Sequence, residues 1–144
     1  LLVNAQGQSR VEAAPLPPAS AQPWQVQLAP HAMSAADDFI RHKTTHRQAY
    51  EAFKPQAPFM DTLLFNEAGE LTEFTIGNVA LRIEGRWLTP PLQAGLLGGV
   101  MRASLLAEGR IHEAPLTVSD LGRASDIALL NSVRGWVPVV LPQA

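Results

Sequence analysis

Residues 70–91, ELTEFTIGNVALRIEGRWLTPP, carry the clearest structural pattern in the sequence. Apolar and polar side chains alternate over residues 79–84, and a period of two is the spacing of a β-strand with one buried face. Gly85 supplies a turn, Arg86–Thr89 can form a short second strand, and two prolines end it. The stretch therefore predicts a β-hairpin.

A helix is predicted directly after the hairpin, in and beyond the run LQAGLLGGVMR of residues 92–102. Apolar residues at 96, 97, 100, 101, 105 and 106 are spaced for one buried helical face, and the helix should open near the glycines at 95, 98 and 99. A helix start offers free amides and a favourable dipole to an anion, and glycines allow close approach. From the residues alone, both a phosphate site and a simple tight turn remain open.

The rest of the chain alternates strands with helices. We expect a hairpin from residues 1–3 and 10–13, strands at 24–28, 62–66, 111–118, 126–131 and 136–141, a helix at 44–53, and short helical segments from Ser34 and Ser119. The last strand contains Pro138, which predicts an edge or a bulge. This order predicts an α/β or α+β fold. Residues 1–23 are interpreted as a hairpin and Pro-rich linker left from a longer chain, and residues 24–144 as the folded domain.

Composition excludes several classes of function. The 144 residues include 11 basic and 13 acidic side chains, giving a net charge of −2 without a basic run, so nucleic acid is not a predicted partner. Cysteine is absent, which excludes disulfides. His31, His112, Asp61 and Asp126 show no metal-binding spacing, and no metal is predicted. We find no apolar run of membrane-spanning length and no signal peptide, and predict a cytoplasmic protein without membrane contact.

Three blocks of the sequence together resemble one protein family. The first runs through residues 70–102, the second is RHKTTHRQAY at 41–50, and the third is NSVRGW at 131–136. They resemble, in the same order and spacing, the C-terminal domain of the class IV aminotransferases, which are the fold-type IV pyridoxal-phosphate enzymes. This resemblance implies a D-amino-acid aminotransferase-like fold, in which helices flank a mixed, barrel-like sheet.

The resemblance implies a role for five residues in binding pyridoxal phosphate. Lys43 would be the catalytic amine that holds the cofactor aldehyde, and Glu73 the acid beside the pyridine nitrogen. The backbone amides of Val100 and Met101 would bind the phosphate, and the Ser132 hydroxyl could add a further donor.

Each of these residue types also has a purely structural interpretation. Lys43 could lie in a solvated loop, although Lys54, the other lysine, lacks its neighbours, and Glu73 could be an exposed strand-end carboxylate. Arg134 could bind a substrate carboxylate through its planar fork or form a surface salt bridge. Asn131 could satisfy local backbone groups.

Within the family, residues 42–50 and 131–136 are most similar to the lyase-like domain fused to aminodeoxychorismate synthase component I. This similarity implies conversion of 4-amino-4-deoxychorismate to 4-aminobenzoate and pyruvate, a step of folate biosynthesis. The alternatives are a class IV transaminase of the branched-chain or D-amino acid type, and a catalytically incomplete interaction domain. The resemblance also implies a small-molecule substrate, a homodimer, and an N-terminal domain of the same chain that is missing here and supplies an arginine to the phosphate.

Overall fold

Eight of the ten strands form one mixed sheet in the computed structural model, which describes residues 1–34 and 38–142. The strands are β1 (Leu2–Val3), β2 (Ser9–Arg10), β3 (Trp24–Leu28), β4 (Asp61–Phe65), β5 (Leu71–Phe74), β6 (Gly77–Ile83), β7 (Arg86–Thr89), β8 (His112–Glu113), β9 (Asp126–Asn131) and β10 (Gly135–Val140). The α-helices are α1 (Gln48–Glu51) and α2 (Val100–Ala107), and short 3-10 helices cover Asp38–Arg41, Leu92–Ala94 and Val118–Arg123.

The large sheet closes on itself and is therefore barrel-like. Its order is β5-β4-β3-β10-β9-β6-β7-β8, and an additional pairing of β5 with β6 joins the two ends of a six-stranded ring. Strand β3 is parallel to both of its neighbours, β4 and β10, whereas β9 is antiparallel to β10 and β6. The expected α/β class with a mixed, barrel-like sheet is confirmed.

The hairpin predicted from residues 79–89 is present as β6 and β7. Glu84 and Gly85 both adopt left-handed backbone conformations, with φ of 52° and 79°. Two such residues in succession give a turn whose twist matches that of the flanking strands. Strand β6 begins at Gly77, earlier than the alternation indicated, because it also pairs with β5 and β9.

Apolar side chains fill the interior of the ring. Val26, Leu63, Phe74, Val79 and Leu129 have no exposed surface. Helix α2 packs outside the sheet, and its Leu105 joins a second cluster with Ala80 of β6 and with Ala128 and Leu130 of β9, whose side chains point away from the interior of the ring. The middle of β9 is consequently buried on both faces, as its continuous apolar run predicts.

Two predicted elements are much shorter than expected. The helix expected at 44–53 is reduced to the four residues of α1, because the Arg47 backbone is not helical, with φ −118° and ψ 24°, and the His46 amide donates to the Thr44 hydroxyl instead of forming a helical bond. The strand expected at 111–118 is reduced to β8. Pro115 lacks an N–H there, and the Leu116 carbonyl accepts instead from the Leu71 amide at 2.7 Å.

The buried face predicted for the helix after the glycines is correct for Met101, Leu105 and Leu106, which belong to or pack against one core cluster, but wrong for the residues before them. Leu96 and Leu97 lie before α2, since Gly95 has a left-handed φ of 94° and the helix begins only after Gly99. Val100 is 77% exposed, and the buried residues of α2 are Leu105 and Arg102. The Arg102 guanidinium binds the Pro90 carbonyl and the Glu113 carboxylate, which anchors the helix to the β7–β8 edge.

Pro138 lies where β10 has a neighbour on one side only. It pairs with Ala128 of β9, but β3 pairs only with Val139 and Val140. Because β3 does not pair with β10 at this position, the absent N–H of Pro138 leaves no hydrogen bond to β3 unformed. This part of β10 is therefore an edge, as predicted from Pro138.

The N-terminal residues form a small separate sheet. Strands β1 and β2 pair with each other and make the hairpin expected near Gly7, though shorter than predicted. The Pro-rich residues that follow have no regular structure. Of the short helix expected from Ser34 and Asp37, residues 35–37 lie outside the described chain, and the 3-10 helix Asp38–Arg41 follows them.

Candidate active site

One cleft of about 580 Å³ collects side chains from four separate segments. They are the segment leading into α1, the β5–β6 turn, the loop before α2, and the end of β9. The volume lies within the usual range of small-molecule sites, roughly 300–1,000 Å³. All six residues singled out from the sequence line this cleft: Lys43, Glu73, Val100, Met101, Ser132 and Arg134.

Glu73 is a buried carboxylate at the wall of the cleft, with only 4% of its surface exposed. Its Oε1 accepts a hydrogen bond of 2.7 Å from the Tyr50 hydroxyl, and its Oε2 accepts one of 3.2 Å from the Leu97 amide. Burial raises the pKa of Glu73 to about 7, and the two hydrogen bonds and the charges of Arg47 and Lys43 act against that rise. The exposed strand-end interpretation of Glu73 is therefore wrong.

The Glu73 carboxylate retains capacity for a further donor. An ionised carboxylate has about four lone-pair positions, and the two hydrogen bonds described above use two of them. A positively charged ring nitrogen in the cleft could therefore be bound by Glu73 without displacing Tyr50 or Leu97. This chemistry fits the pyridine nitrogen of pyridoxal phosphate.

Glu73 and its cross-strand neighbour Asn78 hold the loop before α2 from both sides. Glu73 binds the Leu97 amide, and the Asn78 side-chain amide donates to the Leu97 carbonyl at 2.8 Å. A Cβ atom at Gly99 would lie 2.2 Å from Oδ1 of Asn78. The glycine is required here because the loop backbone passes directly over the asparagine.

The start of α2 presents backbone donors to the cleft. Gly99 is the N-cap and no side chain caps the helix. The first amides of an α-helix, here those of Val100 and Met101, have no acceptor four residues earlier within the helix, and the helix dipole adds positive potential. Ser132, an exposed residue after β9, lines the same cleft. These donors fit a phosphate group.

Lys43 lies in the irregular segment between the 3-10 helix Asp38–Arg41 and α1. It lines the cleft, and its positive charge opposes the rise that burial causes in the pKa of Glu73. The side chain is exposed, so the partial desolvation expected of a reactive amine is absent in this structure. Lys54, by contrast, forms a surface ion pair with Glu51 and does not line the cleft.

Arg134 stands between two cavities. It lines the cleft and also a second pocket of about 250 Å³ beneath the Pro-rich segment. Its guanidinium donates to the Pro17 carbonyl at 3.3 Å and lies 5.3 Å from the centre of the Trp24 ring. In this structure Arg134 therefore binds a backbone carbonyl, which is neither of the two partners expected from the sequence.

Asn131 has the local backbone role expected of it. Its Oδ1 accepts from the amides of Val133 and Arg134, and its side-chain amide donates to the Ile76 carbonyl at 3.2 Å. It thereby connects the end of β9 to the β5–β6 turn, which are two walls of the cleft.

Sequence reasoning missed Tyr50 and Arg47 as components of the site. Both residues lie in the block RHKTTHRQAY at 41–50, from which only Lys43 received a role. Both line the cleft, and the Arg47 guanidinium lies 4.4 Å from the centre of the Tyr50 ring. The available signal was their position in the same block as Lys43, four and seven residues after it.

Within residues 1–34 and 38–142, no group of three or more His, Cys, Asp or Glu side chains could hold a metal ion. None of the helices in these ranges combines the length and apolar character needed to cross a membrane.

Comparison with known proteins identifies relatives over most of the chain. Residues 4–141 match the family model for amino-transferase class IV. A Schizosaccharomyces pombe protein provisionally named aminodeoxychorismate lyase is 46% identical over 77 residues, which are 51% of this chain and 33% of that protein. The chain thus spans about a third of the length of this curated relative.

Two solved structures extend the comparison. A Mesorhizobium loti protein provisionally named amino-acid aminotransferase has a TM-score of 0.90 and 36% identity, covering 97% of this chain and 70% of that one. A Brucella abortus aminotransferase bound to pyridoxal phosphate has a TM-score of 0.75 and 19% identity, covering 90% of this chain and 49% of that one. The second likeness concerns the fold alone.

Proposed function

Because this chain belongs to the class IV aminotransferase family, we propose that it is the cofactor-binding part of a pyridoxal-phosphate-dependent lyase. The complete enzyme would convert 4-amino-4-deoxychorismate to 4-aminobenzoate and pyruvate. The observation that supports this most directly is the convergence of Lys43, Glu73 and the start of α2 on one cleft. The relatives exceed the matched segment in length, and a second domain would complete the site.

When bound, pyridoxal phosphate would supply an aldehyde that reacts with amines and a ring that takes up electrons. Lys43 would hold the aldehyde in the resting enzyme and then carry a proton from the substrate α-carbon, acting first as base and later as acid. Glu73, when ionised, would stabilise positive charge on the ring nitrogen. A carboxylate in a buried position does this more strongly than one in water.

The remaining cleft residues would bind and orient. The amides of Val100 and Met101 and the hydroxyl of Ser132 would donate to the phosphate. The apolar side chains of Ile76 and Leu130, which also line the cleft, would exclude water from the ring faces. Arg134 would bind a substrate carboxylate, which requires its guanidinium to exchange the Pro17 carbonyl for the substrate.

Reductive labelling tests the cofactor role of Lys43. The protein would be incubated with pyridoxal phosphate, treated with borohydride, digested and mapped by mass spectrometry. We expect the cofactor mass on the peptide that contains Lys43, loss of this label in Lys43→Ala, and retention in the matched variant Lys54→Ala, which alters the other lysine. Equal labelling of both lysines, or none at Lys43, would contradict the proposal.

A class IV transaminase is the second candidate, because the Mesorhizobium loti relative carries an aminotransferase name. Both activities would use Lys43 and Glu73. Product analysis of the complete enzyme separates them, since the lyase releases pyruvate from aminodeoxychorismate without an amino acceptor. Amino transfer that depends on an added keto acid would instead favour the transaminase.

A further inference from the structure

The contact between Tyr50 and Glu73 links the lysine-bearing segment to the acid of the cleft. Tyr50 lies in α1, seven positions after Lys43, and its hydroxyl donates to Oε1 of Glu73 at 2.7 Å. Glu73 lies on β5, in a different part of the fold. The hydrogen bond is thus a tertiary contact that fixes one carboxylate oxygen.

Arg47 in turn fixes the Tyr50 ring. Its guanidinium lies 4.4 Å from the ring centre and donates to the Thr75 carbonyl. Thr75 is itself tied down, since its hydroxyl donates to the buried Asp61 carboxylate at 2.5 Å. The cation over the tyrosine is therefore anchored in the same turn that follows Glu73.

We propose that Tyr50, supported by Arg47, is a positioning residue that orients the Glu73 carboxylate toward the cleft and favours its ionised form. Its importance for catalysis rests on the proposed function, but the contact itself is made without a cofactor. Tyr50 would not touch the reacting atoms. It would determine whether the acid beside them carries its negative charge.

The surroundings of Glu73 determine the balance between its neutral and ionised forms. Burial favours the neutral acid, and a hydrogen bond to the ionised form opposes it. The groups that act on the carboxylate are the Tyr50 hydroxyl, the Leu97 amide, and the charges of Arg47 and Lys43, while its cross-strand neighbour Asn78 is uncharged. Of these, the Tyr50 hydroxyl acts most strongly against burial, so its removal should leave the acid protonated over a wider pH range.

Titration of the cofactor-free protein tests this directly. Glutamate labelled with carbon-13 would be followed by NMR against pH, and Glu73→Gln would assign the Glu73 signal by its disappearance. We expect Tyr50→Phe, which keeps the ring under Arg47, to raise the midpoint by about one pH unit or more. Arg47→Met should raise it as well, because it removes a nearby positive charge.

The matched control is Glu51→Gln, which changes an exposed charge on the same helix and should leave the midpoint unchanged. A midpoint in Tyr50→Phe equal to or below that of the unaltered protein would overturn the proposal.

A second measurement needs no change to Tyr50. This residue is the only tyrosine in the chain, so labelling its Cζ carbon gives a single signal. We expect the chemical shift of that carbon to follow the ionisation of Glu73, with the same midpoint, and to become independent of pH near neutrality in Glu73→Gln. A Tyr50 Cζ chemical shift that does not change with pH near neutrality in the unaltered protein would overturn the proposal, even if Tyr50→Phe does not fold.

The cofactor role of Lys43 and the positioning role of Tyr50 can be contradicted independently of each other. If borohydride leaves Lys43 unlabelled while the Glu73 midpoint still rises in Tyr50→Phe, the cofactor role is wrong and the positioning role stands. If Lys43 is labelled but the midpoint does not rise, the cofactor role stands and the positioning role is wrong.

Discussion

Glu73 is the residue whose ionisation the fold changes most clearly. Its pKa is raised from 4.5 to about 7, with burial as the main cause. Between these two values the folded protein holds a proton that the unfolded chain releases. The group therefore contributes stability that is fully present below about pH 4.5 and is lost as the pH rises through about 7.

Glu73→Gln should remove this pH dependence. The shift corresponds to about 3 kcal/mol in the free energy of unfolding between pH 4.5 and pH 8. We expect the cofactor-free protein to lose about this much over that interval relative to the variant, measured by denaturant unfolding at a series of pH values. The perturbed carboxyls of Asp61 and Asp120 are common to both proteins and cancel in the difference. Parallel stability profiles would show that Glu73 is solvated in solution.

At this scale the sequence predicted residues that the structure places in one cleft, but not the hydrogen bonds that hold them there. Lys43 and Glu73 lie in family blocks that can be read locally, and the structure brings both to one cleft. The donors that hold Glu73 could not be read in this way. The Tyr50 contact joins α1 to β5 across the fold, and the Leu97 amide becomes available only because that loop is not helical.

Among the elements, the loop before α2 determines where the backbone donors point. Its two adjacent glycines differ in what surrounds them: a Cβ at Gly99 meets Asn78 Oδ1 at 2.2 Å, whereas one at Gly98 meets only the Leu92 side chain at 3.6 Å. Gly99 has φ −66° and ψ 141°, a backbone conformation open to any residue. The loss of stability on substituting Gly99 therefore measures the lack of space for a Cβ atom, without a contribution from backbone strain.

Gly99→Ala should destabilise the protein by about 1–3 kcal/mol, because the loop or Asn78 must move and their contact to Leu97 is lost. Labelling of Lys43 by pyridoxal phosphate and borohydride should also be weaker in Gly99→Ala than in the unaltered protein. Gly98→Ala is the matched control, with an expected effect within about 0.5 kcal/mol. Similar losses for both variants in thermal and denaturant unfolding would contradict this account of the loop.

The elements also show which sequence patterns were informative. The β6–β7 hairpin was predictable because alternation and turn chemistry at Gly85 act over neighbouring residues. The apolar spacing around Leu97 and Val100 suggested a longer buried helix, yet Leu97 is bound by Glu73 and Asn78. Such a contact between distant segments leaves no periodic signal.

At the scale of the whole molecule, residues 1–23 contribute little to the barrel-like sheet. Strands β1 and β2 pair only with each other, and the following Pro-rich residues are exposed. Their described link to the site is the hydrogen bond from Arg134 to the Pro17 carbonyl. The division into residues 1–23 and 24–144 remains a prediction.

Removal of residues 1–23 should leave cooperative unfolding intact and lower the free energy of unfolding by about 1–3 kcal/mol, because an exposed hydrogen bond and the apolar cover over Trp24 are lost. Denaturant unfolding followed by circular dichroism measures this. Tryptophan fluorescence should shift toward that of more exposed indoles, since the segment covers the pocket that Trp24 and Trp136 line. Loss of the cooperative transition would place the first 23 residues within the folding unit.

The parallel pairing of β3 between β4 and β10 has a consequence for biosynthesis. Trp24 is translated before the strands β4, β5, β6 and β9 of the ring, whereas its partner Val139 in β10 is translated only after them. One edge of β3 stays without hydrogen bonds while the ribosome works through the intervening residues, and such an edge is open to pairing with another nascent chain. Slow translation or chaperone depletion should therefore lower the yield of folded protein, because β3 pairs wrongly before β10 is made. The stability of protein that has already folded should not change.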